Sequence, residues 1–169
     1  DDATQNLYRM VKRYRDNLPE ALKPKMLKDT QEKSIYANDS DYSLGTAASP
    51  DVGRSMTVQK FHGSEVAFWK YSDEIQTGVM QTIADLPGTE IMFESTAKGP
   101  IGMFHQGVMD VIKGVDKRFI NVFIPWFWTD RYRIPLEPGE KLVCDEEEAT
   151  LVEAYGLDDE QLKWRRWKI

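Results

Sequence analysis

Leu7, Met10, Val11 and Tyr14 recur at i, i+3, i+4 and i+7 behind a polar, acidic first turn. This spacing predicts an amphipathic helix from about Thr4 to Arg15, with those four residues on its buried face, closed before Pro19. Pro19 to Pro24 reads as a connector. Ser34-Ile35-Tyr36-Ala37 and Tyr42-Ser43-Leu44-Gly45-Thr46 then flank the turn-rich Asn38-Asp39-Ser40-Asp41, the pattern of a hairpin. A small, polar loop over Ala47 to Ser55 leads into an alternating run, Met56 to Phe61, with β-branched Thr57 and Val58. That strand is expected to stop at Gly63-Ser64-Glu65. Val66 to Trp69 opens a helical region with Trp69 in the core, and Ile75, Val79, Met80 and Ile83 define a second amphipathic helix ended by Pro87-Gly88. A strand is expected over Glu90 to Phe93 and a helix from about Ile101 to Lys113, within which His105 is read as structural. Phe119 to Phe123 alternates as a further strand and runs into Ile124-Pro125-Trp126-Phe127-Trp128, where the proline argues against a central place in a sheet and the aromatics suggest a hydrophobic seam. After a Pro/Gly-rich connector to Gly139, Asp145 to Tyr155 reads as an acidic helix stopped at Gly156, and Asp158 as the cap of a last helix with Leu162, Trp164 and Trp167.

Composition narrows the class. A chain of 169 residues that is 41% hydrophobic can bury one core of ordinary size. A net charge of -6 argues against a surface coated for non-specific nucleic-acid binding, so any DNA contact must be local. Lys12, Arg13 and Arg15 form either a solvated face favoured by the helix dipole or a phosphate-contacting ridge. The single cysteine, Cys144, forms no intramolecular disulfide, and with His62 and His105 as the two histidines no structural zinc set exists; a reducing cytosol fits. No apolar run approaches the roughly 18 to 20 residues of a membrane span. Asp1-Asp2-Ala3-Thr4 is neither a signal peptide nor an initiator methionine, so a cut or processed N-terminus is expected, and the absence of a helix-ending signal at Ile169 suggests a boundary there too.

The candidate chemistry lies where two predicted strands end in polar residues. A strand ending in Ser64-Glu65 is the minimum form of a Walker B element, in which the acid accepts a hydrogen bond from the water attacking a γ-phosphate and the preceding side chain helps hold Mg²⁺ through its water shell. The plain alternative is a surface glutamate at a strand end. Ser95 and Thr96, at the end of the next strand, would either bond a phosphate oxygen or the Walker B acid and so sense the γ-phosphate, or form a turn capping the following helix. No GxxxxGK[ST] loop occurs in the chain, Gly99 and Gly102 do not amount to a phosphate-binding fingerprint, and no hydrolase triad is apparent.

Four segments, His62-Gly63-Ser64-Glu65-Val66-Ala67-Phe68-Trp69, Glu94-Ser95-Thr96-Ala97-Lys98-Gly99, Phe123-Ile124-Pro125-Trp126-Phe127-Trp128 and Trp164-Arg165-Arg166, occur in this order, and with them the chain resembles the large terminase subunits of tailed bacteriophages and prophages. The resemblance implies an α/β fold: a three-layer αβα P-loop NTPase-like sheet lacking the Walker A strand, loop and helix, with a hairpin and C-terminal helices. It implies a partial motor domain over residues 1–135 and a C-terminal helical segment over 136–169 leading towards a nuclease domain that lies outside the chain. Glu65 would be the catalytic carboxylate, and Ser64, Glu65, Ser95 and Thr96 would meet ATP, with Ser64 reaching Mg²⁺ through water. Residues Glu94 to Ala97 would couple hydrolysis to DNA movement. Arg54, eleven residues before Glu65, matches the place of an arginine offered to the neighbouring subunit's ATP. The implied partners are double-stranded DNA, a portal protein, a small terminase subunit and further copies in a ring, in the bacterial cytoplasm and with no membrane. The implied parent is an ATPase, and the fragment alone would be inactive and bind ATP poorly. A non-catalytic prophage remnant or interaction module, and a helicase-like ATPase, are the competing expectations.

Overall fold

Residues 2–49, 57–84 and 86–168 are described by the computed structural model, with side chains from residue 4 onward. Arg54 and Met56 lie outside the described residues. The chain forms two units, Asp1–Phe119 and Ile120–Ile169, a division upstream of the connector at which the sequence suggested a change of segment. The architecture is mixed α/β, with one small antiparallel sheet and one parallel strand pair.

In the first unit, helix α1 (Asp2–Asp16) lies against a sheet ordered β1-β2-β3, formed by Met26–Asp29, Lys33–Tyr36 and Asp41–Ser43. The β2–β3 hairpin is the one its turn residues predict, with Asp39 in the left-handed region at φ 62°. The connector prediction ended at Pro24, and strand β1 just after it was not foreseen. All four of its residues are exposed and a bulge interrupts its pairing, so it carries no hydrophobic alternation to read.

The buried face of α1 corrects the sequence reading. Tyr8 is 1% exposed, bonds Ser34 Oγ at 2.7 Å and stacks on Tyr42. One and two turns on, Lys12 and Arg15 pair with Asp29 at 3.0 and 3.3 Å. Burial pushes the Asp29 carboxyl up, yet the bonds from Lys12, Ser34 and Arg15 outweigh it and hold the group at about 2. Leu7, Met10 and Tyr14, expected inside, face outward. A network of specific polar partners, rather than apolar periodicity, chose which side of this helix meets the sheet. It also neutralises two of the three cations of the suspected phosphate ridge.

The parallel pair is β4 (Lys60–Ser64) and β5 (Glu90–Glu94), joined through α2 (Ser72–Thr82), a βαβ crossover. β4 begins later than predicted, at Lys60, and runs on through Gly63 and Ser64: Val58 is held by a single bridge to Ile83, which leaves α2 with extended backbone instead of extending the helix. Period-2 alternation puts Phe61, Gly63, Ile91 and Phe93 on one face of the pair and Lys60, His62, Ser64, Glu90, Met92 and Glu94 on the other. Phe93 meets the rings of Phe61, Trp69 and Phe119. Val66, Ile75 and Val79, each 1% exposed, complete the local core, and α3 (Gly102–Ile112) touches the 3₁₀ turn Val66–Phe68.

In the second unit, the strand predicted over Phe119 to Phe123 does not form; Ile120, Val122, Phe123 and Ile124 are all exposed. Alternation marks a capacity to pair, and no strand of the described residues hydrogen-bonds this run. The helices α4 (Glu146–Tyr155) and α5 (Asp159–Lys168) stand where the sequence predicts, with Asp145 the cap of α4 rather than its first residue. Asp145 and Glu148 form a capping box, Asp158 and Gln161 repeat it, and Gly156 ends α4 at φ 67°. Arg166 makes bonds of 2.7 and 2.6 Å to the two oxygens of Glu148, which is 2% exposed. Trp164 stacks between Trp126 and Tyr132, the hydrophobic seam expected of the aromatic segment, although Trp128 stays exposed. Among the described residues no helix is long and apolar enough to cross a membrane.

Candidate functional site

Strands β4 and β5 run in phase, with Ser64 opposite Glu94, so the chain leaves the sheet at residues 65 and 95 on the same carboxyl rim. In open α/β sheets this rim is where ligands bind. Three devices shape the turn after β4. Glu65 adopts φ 54°, ψ 41°, a left-handed conformation uncommon outside glycine and enriched where function overrides local comfort. Its carbonyl accepts the Phe68 N–H at 2.9 Å, closing the turn Val66–Phe68. The Trp69 indole N–H then reaches back to the Ser64 carbonyl at 2.9 Å, and Gly63 leaves room for that ring: a Cβ there would lie 2.8 Å from Trp69 Cη2.

The second strand contributes the hydroxyls. Ser95 Oγ accepts the Ala67 N–H at 3.2 Å, capping from across the rim the turn that Glu65 opens. Ser95 and Thr96 donate to Glu65 Oε2 at 3.4 and 3.3 Å. Helix α3 begins after Ile101 with no side-chain cap, so the alternative in which this Ser/Thr pair caps the following helix is not what the chain does. Glu65 is exposed, and among the described residues its Oε1 accepts no hydrogen bond. The arrangement is an oriented carboxylate with one oxygen tied and the other open to a proton donor such as water.

Ser64 is half-buried and belongs to the polar face of the strand pair, opposite Glu94 in register. His62 Nε2 stands 3.5 Å from Glu94 Oε1 on that same face. Glu94 was expected only as the first residue of the coupling motif and His62 was given no role from sequence, although counting back by two from Ser64 places His62 on the face that carries Glu94. Lys98 lies over the Phe68 ring at 5.0 Å, which brings a cation close to the turn after Glu65. The structure therefore brings Ser64, Glu65, Ser95 and Thr96 to one rim, while Arg54 is outside the described residues. Among the described residues no three His, Cys, Asp or Glu side chains converge to hold a metal ion by themselves. The chain matches no family model, and no curated protein matches it.

Proposed function

We propose that this rim is the hydrolytic edge of a nucleotide-driven α/β motor, with MgATP as its substrate. Within that class the reading points to the large terminase subunit of tailed bacteriophages or prophages, a ring-forming ATPase that moves double-stranded DNA through a portal into a procapsid in the bacterial cytoplasm, assisted by a small subunit. The observation that supports it best is the convergence on Glu65 Oε2 of Ser95 and Thr96 from the neighbouring parallel strand, at a backbone position strained for a non-glycine residue. The β4–α2–β5 crossover is also the unit from which a three-layer αβα P-loop sheet is built.

Each side chain then has a task. Glu65 accepts a proton or hydrogen bond from the attacking water through Oε1, while Ser95 and Thr96 hold Oε2 and set the angle of the carboxylate. Because those two hydroxyls sit in the segment that leads from β5 to α3, a change in what Glu65 binds is transmitted to that segment; this is the proposed coupling to DNA movement. Ser64 would help to hold the Mg²⁺ that arrives with the nucleotide, and Arg54 would serve a neighbouring subunit's nucleotide. The residues at hand fit a substrate that brings its own phosphate-bound Mg²⁺, since Mg²⁺ is commonly held by one or two protein groups plus phosphates and water. The backbone amides and lysine of a phosphate loop would have to come from outside these 169 residues.

The test is Glu65→Gln in a polypeptide that joins this chain to its in-frame upstream sequence, where a GxxxxGK[ST] segment is expected. Steady-state ATP turnover should fall by roughly 10²–10⁴-fold with nucleotide binding retained. Near-normal turnover would remove Glu65 from the role. The lack of a phosphate loop in the chain itself favours a second reading, a non-catalytic interaction module; a start codon at the head of this segment, with no phosphate loop encoded, would decide for it.

A further inference from the structure

Helix α1 carries two seams on opposite sides. Tyr8, Lys12 and Arg15 face its own sheet and are fully engaged there with Ser34 and Asp29. Leu7, Met10 and Tyr14, at the a, d and a positions of a heptad, face away and are 37%, 50% and 69% exposed. A stripe this narrow is the pattern of a helix–helix seam, whereas a helix lying on a lipid surface presents a broad apolar face. Asn6, Arg9, Met10 and Arg13 line a shallow groove along one flank of the stripe. The Arg9 guanidinium bonds the Asn6 side chain, and neither Arg9 nor Arg13 meets a carboxylate among the described residues.

We propose that this face of α1 docks an acidic amphipathic α-helix of a partner protein, its apolar heptad positions seated on Leu7, Met10 and Tyr14 and its carboxylates beside Arg9 and Arg13. The two halves of the face select that occupant together. A nucleic acid would satisfy the arginines and leave the apolar seam uncovered. A second copy's α1 would set arginine against arginine when packed antiparallel, and would offer them no carboxylate when packed parallel, since Arg13, at g, would then face an e position, held here by Val11. An acidic helix covers the seam and neutralises the flank at once. This inference uses nothing from the β4–β5 rim and stands apart from the motor reading.

The probe is a synthetic three-heptad peptide with leucine at a and d and glutamate at e and g, titrated into the full 169-residue chain by fluorescence anisotropy. Binding in the micromolar range is expected, weakening several-fold between about 50 and about 300 mM salt. Met10→Glu and Arg13→Glu should each weaken it by about tenfold or more, and so should replacing the peptide's glutamates by lysine. Both protein variants change exposed side chains, so an unchanged far-UV circular dichroism spectrum verifies that the fold is kept. No binding at millimolar peptide, equal binding of the lysine peptide, or equal binding by Met10→Glu overturns the proposal. So does a dimer of the chain, or binding to anionic phosphatidylglycerol vesicles, that Met10→Glu abolishes; the first outcome assigns the face to a second copy and the second to a lipid surface.

Discussion

Replacing Gly63 by alanine should push apart the wedge that sets the rim. The new Cβ would lie 2.8 Å from Trp69 Cη2, 3.1 Å from Trp69 Cζ2 and 3.0 Å from Phe93 Cδ1. Ordinary contact begins near 3.4 Å, so the indole has to retreat by about 0.6 Å (3.4 − 2.8). It is not free to do so, because its N–H is bonded to the Ser64 carbonyl at 2.9 Å, and Phe93 is backed by Phe61 and Phe119. Overpacking of this kind costs about 1–3 kcal/mol, and a weakened hydrogen bond adds about 0.5–1.5 kcal/mol. Relief of glycine's backbone entropy returns about 0.5–1 kcal/mol. The net expectation is a loss of about 2 kcal/mol, read in urea unfolding followed by circular dichroism as a midpoint lowered by about 1 M at unchanged slope. The decisive arm is a double-mutant cycle with Trp69→Phe, which deletes the two indole carbons nearest the new methyl. In that background Gly63→Ala should cost about 1 kcal/mol or less, giving a coupling of at least about 1 kcal/mol. An equal cost in both backgrounds would refute the steric argument.

Glu65→Gly should be more stable than Glu65→Ala by about 0.5–1 kcal/mol, since alanine keeps the strain of the left-handed backbone that glycine relieves; the reverse order in thermal melts would mean that this conformation is not held in solution. Ser95→Ala removes both the acceptor for the Ala67 N–H and a donor to Glu65 and should cost about 1 kcal/mol, more than Thr96→Val, which loses a single exposed contact. The two bonds from Arg166, helped by the Asp145 N–H, hold the buried Glu148 carboxyl at about 2 against an ordinary value of 4.5. A carboxylate held below its unfolded value stabilises the fold fully above about pH 4.5 and loses that contribution as the pH falls through about 2. Because the Arg166 side chain is 40% exposed, the contribution is discounted to roughly 1–2 kcal/mol. Glu148→Gln should therefore be less stable than the parent at pH 6, with the gap closing towards pH 2; a gap independent of pH would show that the charge of Glu148 contributes nothing.

Elements closed by local chemistry could be read from the chain alone. The cap at Asp158, the stop at Gly156, the Asn38–Asp41 turn and the strand expected over Glu90 to Phe93 depend on residues within a few positions of one another, and the backbone obeyed them. The polar ends of the two strands at Ser64-Glu65 and Ser95-Thr96 were legible for the same reason. Their meeting was not a local matter. It required β4 and β5 to pair in parallel and in phase, and a shift of one residue would have carried Ser64 and Glu94 to opposite faces. Tertiary structure alone likewise decided that Glu65 turns left-handed next to the Ser64 carbonyl that the Trp69 indole holds. It also decided that α1 buries Tyr8 rather than Leu7, Met10 and Tyr14, because the hydrogen bonds and ion pairs offered by Ser34 and Asp29 could be met only from that side. The run from Ile120 to Ile124 makes the same point in reverse. Its alternation equips it for a strand, but a strand exists only where a second chain segment supplies the hydrogen bonds.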